Sequence, residues 1–244
     1  GFDGPFEKVE GFAEPLPGKV RFMVGANGYL LDHRINDSVI AVNRMLAGGY
    51  EVYWLDESIE ANGQTYPVGT IYVPGSAGVD EELSAMAASL GVSVDGISSR
   101  PNVSAHQLAP VRVGLWDRYG GSMPSGWTRW LFEQFEFPYE RVFPQELDND
   151  DLDDKYDALV FVTDSIPAED LESGGRDTQP ETSSVPREFR DHLGYITKKT
   201  VPKLEGYLRD GNTVLTIGTS TILAENLGLP VTIHLVNGSG EQLS

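Results

Sequence analysis

The sequence predicts an α/β fold, built on an open, mostly parallel sheet with helices on both faces. Short apolar runs rich in β-branched residues alternate along the chain with longer stretches whose apolar residues recur at helical spacing. Glycine and proline end many of these runs, and the connections between them are mostly short. Alternation of this kind forms βαβ units, which set neighbouring strands parallel and cover the sheet with helices.

Length, charge and cysteine content narrow the possible functions. The 244 residues, with 40% hydrophobic and 10% aromatic content, suit one large or two small packed domains. The 37 acidic residues against 18 basic ones give a net charge of −19, which repels phosphate, so we expect no nucleic-acid partner. No apolar run approaches the roughly 20 residues of a membrane span, so no membrane partner is expected. Without cysteine, the chain has neither disulfides nor a thiolate nucleophile.

The first half of the chain alternates strand and helix after an extended linker. Residues 1–18 contain several prolines and glycines among scattered charges and form the predicted linker. Residues 19–244 form the α/β domain, in two βα halves at about 19–100 and 110–244. The elements predicted in the first half are strands at 20–24, 50–55 and 70–73, helices at 37–47 and 80–90, and a hairpin around Asn62-Gly63. Residues 29–36 are expected to form an irregular polar loop.

The second half repeats the alternation and contains an elbow. Predicted strands are 111–115, 140–143, 158–162, 213–217 and 231–236, and predicted helices are 127–135, 201–209 and 220–226. Residues 145–154 form an acidic surface segment that lacks the glycine and glutamate of a calcium loop. Residues 164–186 are almost all Ser, Thr, Asp, Glu, Gly and Pro, so a long mobile loop is expected there. Gly218 permits a sharp turn after strand 213–217.

Ligands on parallel sheets bind beyond the carboxyl ends of the strands, so the loops at that edge are the first candidates for a site. These loops are predicted at 25–36, 116–126, 163–165 and 218–221. The candidate ligand-binding residues in them are Asn27, His33, Trp116 and Arg118, because indole faces and guanidinium groups suit sugars and carboxylates. One interpretation of the aromatic helix is that its Trp127, Trp130 and Arg129 join Trp116 and Arg118 in an aromatic and cationic pocket. The alternative is that Trp127, Trp130, Leu131 and Phe135 form its core face, since they share helical spacing.

Ser220 occupies the position of a nucleophile in a strand, elbow and helix of the form Gly-x-nucleophile. His192 is the candidate base, with Asp191 or Glu188 to orient it. The alternative is that the hydroxyl residues 219–221 merely cap a helix. His33, His106, His192 and His234 lack the spacing of a zinc site, so no metal is expected in this chain.

Three runs carry a resemblance to a known family. They are Tyr29-Leu-Leu-Asp-His-Arg-Ile-Asn-Asp-Ser-Val-Ile-Ala-Val-Asn-Arg44, Val113-Gly-Leu-Trp-Asp followed by Gly126-Trp-Thr-Arg-Trp-Leu-Phe-Glu-Gln-Phe135, and residues 208–231. Together they resemble the region after the peptidase domain in a group of bacterial zinc carboxypeptidase-like proteins. That region is similar to a class I glutamine amidotransferase-like domain, which implies a flavodoxin-like arrangement of the sheet.

The resemblance implies a domain without its own chemistry. An active class I amidotransferase would carry cysteine at Ser220, glycine at Ile222 and a His-x-Glu pair further on, and this chain has none of them. The zinc motif His-x-x-Glu is also missing, so zinc is expected only in the peptidase domain of the parent protein. The resemblance thus implies a non-catalytic accessory domain that is truncated at both ends and is periplasmic or secreted.

The implied partners are the parent's own peptidase domain and possibly further copies of the chain. The implied roles are substrate positioning, domain packing or oligomerisation. Two alternatives stay open at this point. One is a serine hydrolase that uses Ser220, and the other is a module that binds a small ligand such as a sugar or peptide.

Overall fold

The protein is described by a computed structural model, which covers Gly4, Gly11 and residues 16–167, 179–231 and 237–239. The chain divides into two compact units, Gly1–Pro110 and Val111–Ser244. Each unit combines a sheet with helices, so the α/β class that the sequence predicts is present in both. No helix in the described ranges is long and apolar enough to cross a membrane.

The first unit contains a mixed sheet and two helices. Its strands are β1 (Val20–Arg21), β2 (Gly28–Leu31), β3 (Tyr53–Leu55), β4 (Ile59–Ala61), β5 (Gln64–Tyr66), β6 (Ile71–Pro74), β7 (Val94–Ile97) and β8 (Ala105–Gln107), and its helices are α1 (Asp37–Ala47) and α2 (Val79–Leu90). Six strands pair in the order β1-β7-β2-β6-β3-β8, and β4 and β5 form the predicted hairpin. Only β1 and β7 pair in parallel, and the other neighbours in the six-stranded sheet are antiparallel.

Two sequence predictions for this unit need correction. The mostly parallel sheet does not extend to it, because β2, β6, β3 and β8 run alternately up and down. The irregular loop predicted at 29–36 begins instead as strand β2, whose four residues are all buried between β6 and β7. Because all four residues of β2 are buried, the strand does not alternate between apolar and polar residues, and its sequence shows no period of two.

A buried carboxylate fixes the centre of the first unit. Asp95 on β7 receives two hydrogen bonds of 2.6 Å from the guanidinium of Arg21 on β1. It also accepts one of 2.8 Å from the Tyr66 hydroxyl and one of 3.0 Å from Gln64 Nε2, both on β5. These bonds replace the water that burial removes, and they tie the hairpin and the edge strand β1 to β7.

The second unit contains the predicted parallel sheet. Its strands are β9 (Val113–Trp116), β10 (Tyr139–Val142), β11 (Ala158–Phe161) and β12 (Thr213–Thr216), and its helices are α3 (Met123–Gln134), α4 (Leu152–Lys155), α5 (Thr200–Arg209) and α6 (Leu223–Asn226). The strands pair in the order β10-β9-β11-β12, and every pair is parallel. Residues 232–236, where the sequence predicts a last strand, lie outside the described residues.

The order of these strands defines where a ligand site can form. The chain passes from β9 to β10 in one direction and then crosses back over β9 to reach β11 and β12. Right-handed connections therefore place α3 on one face of the sheet and α4 and α5 on the other. The direction of winding reverses between β9 and β11, and the crevice at their carboxyl ends is the usual ligand position in such sheets.

The long segment between β11 and α5 is partly ordered by packing. Of the mobile loop predicted at 164–186, residues 168–178 lie outside the described residues. The part from 179 onward includes the 3-10 helices Thr182–Ser184 and Arg187–His192. Val185 and Leu193 are buried, and Ile196 belongs to the core of the unit. The segment is mostly polar, but these few apolar residues pack into the core and order its described part.

Candidate functional site

The loops that follow β11 and β12 meet at Ser220. This residue lies in the 3-10 helix Gly218–Ile222, directly after the elbow, and is 0% exposed. Its hydroxyl donates to the carbonyl oxygen of Val162. It accepts from the backbone N–H groups of Ser165 at 3.1 Å and Ile166 at 3.2 Å, and it lies 2.7 Å from the Ser165 hydroxyl. The hydroxyl thus joins the two loops from inside the protein.

A second set of contacts reinforces this junction. The hydroxyl of Thr219 accepts from the Asp164 N–H at 2.8 Å and donates to the Asp164 carboxylate at 2.9 Å. Gly218 has a φ of +61°, and a Cβ there would lie 2.1 Å from the Thr163 hydroxyl oxygen. Only glycine allows such a close approach together with a left-handed backbone. The elbow is therefore packed tightly against the loop after β11.

The structure does not bring His192 to Ser220. The imidazole stacks on Phe143, with 3.7 Å between ring centroids and 5° between planes, and the His192 carbonyl accepts from the Tyr119 N–H. Phe143 follows β10, which lies at the opposite edge of the sheet from β12. Three strand spacings separate these edges, about 14 Å. Asp191 and Glu188, the proposed orienting acids, are exposed on the same 3-10 helix as His192.

The Ser220 environment has consequences for chemistry. A serine nucleophile needs a base that takes its proton and an open side from which substrate can approach. All described hydrogen-bond partners of this hydroxyl are backbone groups and one other serine, and its surface is closed to solvent. The arrangement favours a structural role for the elbow, but not the predicted helix cap, because Ile217 and Ile222 occupy the N-cap positions of the two short helices. The hydroxyl groups of residues 219–221 bond instead to Asp164, the Val162 carbonyl and the Gly218 carbonyl.

Trp116 and Arg118 lie at the carboxyl end of β9. Trp116 is the last residue of β9 and is buried in the core of the second unit, not in a loop as the sequence predicts. Its indole N–H has no hydrogen-bond partner in the described part of the chain. Arg118 is half-buried, and its Nε donates to the Gly121 carbonyl at 3.1 Å. Both side chains therefore serve the local structure of this edge.

Asp117 is the buried acid that the sequence analysis missed. It follows β9 at the point where the winding reverses, and it is almost fully buried. One carboxylate oxygen accepts from the Arg118 N–H at 2.9 Å, and the other lies 3.9 Å from a guanidinium nitrogen of Arg141. An acid directly after a buried strand was the available signal, since that position meets the carboxyl edge of the sheet.

Asn27 and His33 lie at opposite ends of β2. Asn27 precedes the strand and donates from its side-chain amide to the Ser98 carbonyl at 2.6 Å. His33 follows the strand and packs beside Trp54, with 6.1 Å between ring centroids, and its Nδ1 is buried without a partner in the described residues. The four extended residues of β2 lie between them and span about 13 Å. The loop predicted at 25–36 therefore does not gather them into one site.

The described part of the chain contains no cluster of three or more His, Asp or Glu side chains placed to hold a metal ion. His106 pairs with Asp56 at 2.6 Å on the surface of the first unit. His234 lies outside the described residues. A cavity of about 440 Å³ follows β10 and is lined by polar and charged residues, among them Gln145, Asp148, Tyr195, Lys198 and Lys199. Its volume is in the range of small-molecule sites.

No family model, no curated protein and no solved structure matches this chain. Its fold and its site geometry are therefore the basis on which a function can be proposed.

Proposed function

We propose that this chain is a non-catalytic, class I amidotransferase-like module that accompanies a zinc carboxypeptidase-like catalytic domain. Its roles would be positioning substrate, packing against that domain or holding copies together. Two features support the proposal. The three runs described above resemble that region of the carboxypeptidase-like proteins, and the strand order β10-β9-β11-β12 agrees with the first four strands of a flavodoxin-like sheet.

The observation that carries the proposal is the state of the Ser220 hydroxyl. In the active family, the residue at this position attacks substrate from an exposed elbow. Here it donates to the Val162 carbonyl and accepts from two backbone N–H groups in a closed site. A group with these bonds stabilises the turn. Among the described residues, the possible acceptors of its proton are the Val162 carbonyl and the Ser165 hydroxyl, and neither is a general base.

The test is a set of activity assays on the purified chain and two variants. Glutaminase and carboxypeptidase assays should show no turnover, and a fluorophosphonate probe should not label the protein. Ser220→Cys supplies the residue type of active amidotransferases, and it should also give no glutaminase activity because no His-x-Glu pair exists. Turnover or labelling that disappears in Ser220→Ala would establish a serine hydrolase and overturn the proposal.

A second function is favoured by the cavity after β10. Its volume of 440 Å³ suits a small ligand. Its lining contains two lysines against one aspartate, Asp148, which favours a ligand with hydroxyl groups and a carboxylate. Calorimetric titration with a panel of sugars and short peptides would test this module. Binding that is lost in Lys198→Ala or Lys199→Ala would support it, and a flat response across the panel would refute it.

A further inference from the structure

Helix α3 presents an apolar stripe to solvent. Met123, Trp127, Trp130 and Leu131 are 78%, 63%, 50% and 46% exposed. They recur at helical spacing, so they lie along one face of a helix that is about 18 Å long. The two indoles contact each other edge to face, with ring centroids 5.9 Å apart. The opposite side of the helix faces the sheet through Ser125 and Phe132.

An exposed stripe of two tryptophans, a methionine and a leucine is unusual on a protein surface. Isolated exposed apolar residues are normal, but a contiguous patch of this kind marks an interaction site. Tryptophan and methionine are enriched at the centres of protein interfaces, where they lose the most water. We therefore expect a partner to bury these four side chains when the protein functions.

Charge and shape indicate what covers the stripe. The only charged residues of α3 are Arg129 and Glu133, and the Tyr139 hydroxyl bonds to both on the flank of the helix. The stripe itself is uncharged, so it offers no complement to a strongly acidic or basic partner. Gly126 lies within the stripe, and a Cβ added there would meet no other atom within 4 Å. The face therefore combines bulky side chains with a notch.

We propose that the α3 stripe (Met123, Gly126, Trp127, Trp130, Leu131 and Gln134) binds the same stripe of a second copy of this chain. The two helices pack antiparallel about a twofold axis between residues 128 and 129. In this register, Trp127 of each copy faces Trp130 of the other, so this pair occurs on both sides of the axis. Leu131 of each copy fills the notch at Gly126 of the other, as a knob enters a hole. Met123 then lies opposite Gln134.

The area buried between the two helices sets the expected affinity of the dimer. A fully covered tryptophan buries about 150–250 Å², so each half-exposed indole contributes roughly 100 Å² or more. With Met123, Leu131 and the flanking residues, two copies bury on the order of 1,000 Å², at the low end for specific interfaces. The net charge of −19 on each copy adds repulsion outside the stripe. The dimer should therefore form at micromolar concentration and be favoured by salt.

The first experiment is sedimentation velocity over a range of protein concentrations. The unaltered chain should shift reversibly from monomer to dimer, and Trp127→Glu with Trp130→Glu should remain monomeric with an unchanged circular dichroism spectrum. Leu215→Glu is the matched control, because it adds the same charge to another exposed apolar residue of the second unit. A chain that stays monomeric at every concentration, or a dimer that the tryptophan variant retains, would overturn the proposal.

Three further variants distinguish the proposed register from non-specific association. Gly126→Leu adds apolar surface but fills the notch, so it should weaken the dimer, whereas non-specific association would become stronger. The chain has no cysteine, which allows directed cross-linking. Met123→Cys mixed with Gln134→Cys should form a disulfide dimer under oxidation, and neither variant should do so alone. A disulfide in Met123→Cys alone would indicate parallel helices and would refute the antiparallel register.

The dimer does not depend on the chemistry at Ser220. An active hydrolase would leave the proposed stripe intact, and a monomeric chain would leave the elbow inert. The two proposals can therefore fail separately.

Discussion

At the residue scale, one hydroxyl shows how a buried polar group can hold two loops together. The Ser220 hydroxyl is the acceptor of the Ile166 N–H. It also adds a second partner to the Ser165 N–H and the Val162 carbonyl, which bond to each other at 3.2 Å. The free energy gained from such bonds is modest, but leaving the groups unpaired is costly. The hydroxyl at the elbow is therefore a structural group.

Ser220→Ala should therefore lower the free energy of unfolding of the second unit by about 1–3 kcal/mol, because it leaves the buried Ile166 N–H without its acceptor. Urea unfolding followed by tryptophan fluorescence would measure this, since three of the four tryptophans, at 116, 127 and 130, lie in that unit. Thr221→Ala is the control, because it removes only an exposed hydrogen bond to the Gly218 carbonyl. Equal effects of the two variants would contradict the structural role of Ser220.

Tyr207 provides a test based on pH. Burial raises the pKa of its hydroxyl from the ordinary value of 10.0 to about 12, and the hydroxyl donates to the Tyr156 carbonyl at 3.1 Å. Because the pKa is raised in the folded state, the neutral form stabilises the fold fully below pH 10. That contribution is lost as the pH rises through 12.

The stability of the second unit should therefore fall above pH 10, by up to about 1.4 kcal/mol per pH unit from this residue. Urea midpoints measured between neutral pH and pH 11 would show the decline. In Tyr207→Phe, the chain should be less stable at neutral pH, and its decline above pH 10 should be shallower. An unchanged slope in the variant would show that other groups cause the pH dependence.

At the element scale, helix α3 shows what periodicity can and cannot predict. The sequence correctly placed a helix with an aromatic face, and Trp127, Trp130 and Leu131 do share one side of it. The inference that this side packs into the core was wrong, because the three side chains are at least 46% exposed. Spacing identifies which residues lie on one face, but the direction of that face depends on where the sheet lies.

The elbow offers a prediction at this scale, based on two glycines with positive φ. Gly218 and Gly228 have φ values of +61° and +68°, but a Cβ would clash with Thr163 only at Gly218. Gly228→Ala should cost about 1–2 kcal/mol, which is the penalty of a left-handed residue. Gly218→Ala should cost clearly more, since the Thr163 loop must also move. Equal losses in urea unfolding would argue against the tight packing of the elbow.

At the scale of the whole molecule, the charge of −19 is the dominant feature. Like charges repel one another in the compact state, and dissolved salt screens this repulsion over distances of about 10 Å at 0.1 M. The melting temperature should therefore rise as sodium chloride is added from low ionic strength, and potassium chloride should have the same effect. A melting temperature that falls over this range would show that attractive ion pairs outweigh the net repulsion.

The two units differ in how far the sequence predicted them. In the second unit, the strands at β9, β10, β11 and β12 were predicted within a few residues, because each is a separate apolar run between clear breaks. In the first unit, β2 was taken for a loop, and the sheet was expected to be parallel. Its strands are short and are joined both by helices and by tight turns, so local alternation did not reveal their direction.

The sequence by itself determined the α/β class, the parallel strands of the second unit, the turn at Gly218 and the absence of thiolate chemistry. These follow from composition, spacing and local backbone preference, which are properties of neighbouring residues. Only the tertiary structure decided that Ser220 is enclosed, that His192 lies at the far edge of the sheet and that the tryptophans of α3 face solvent. These depend on contacts between residues far apart in the chain, and local preferences carry no record of such contacts.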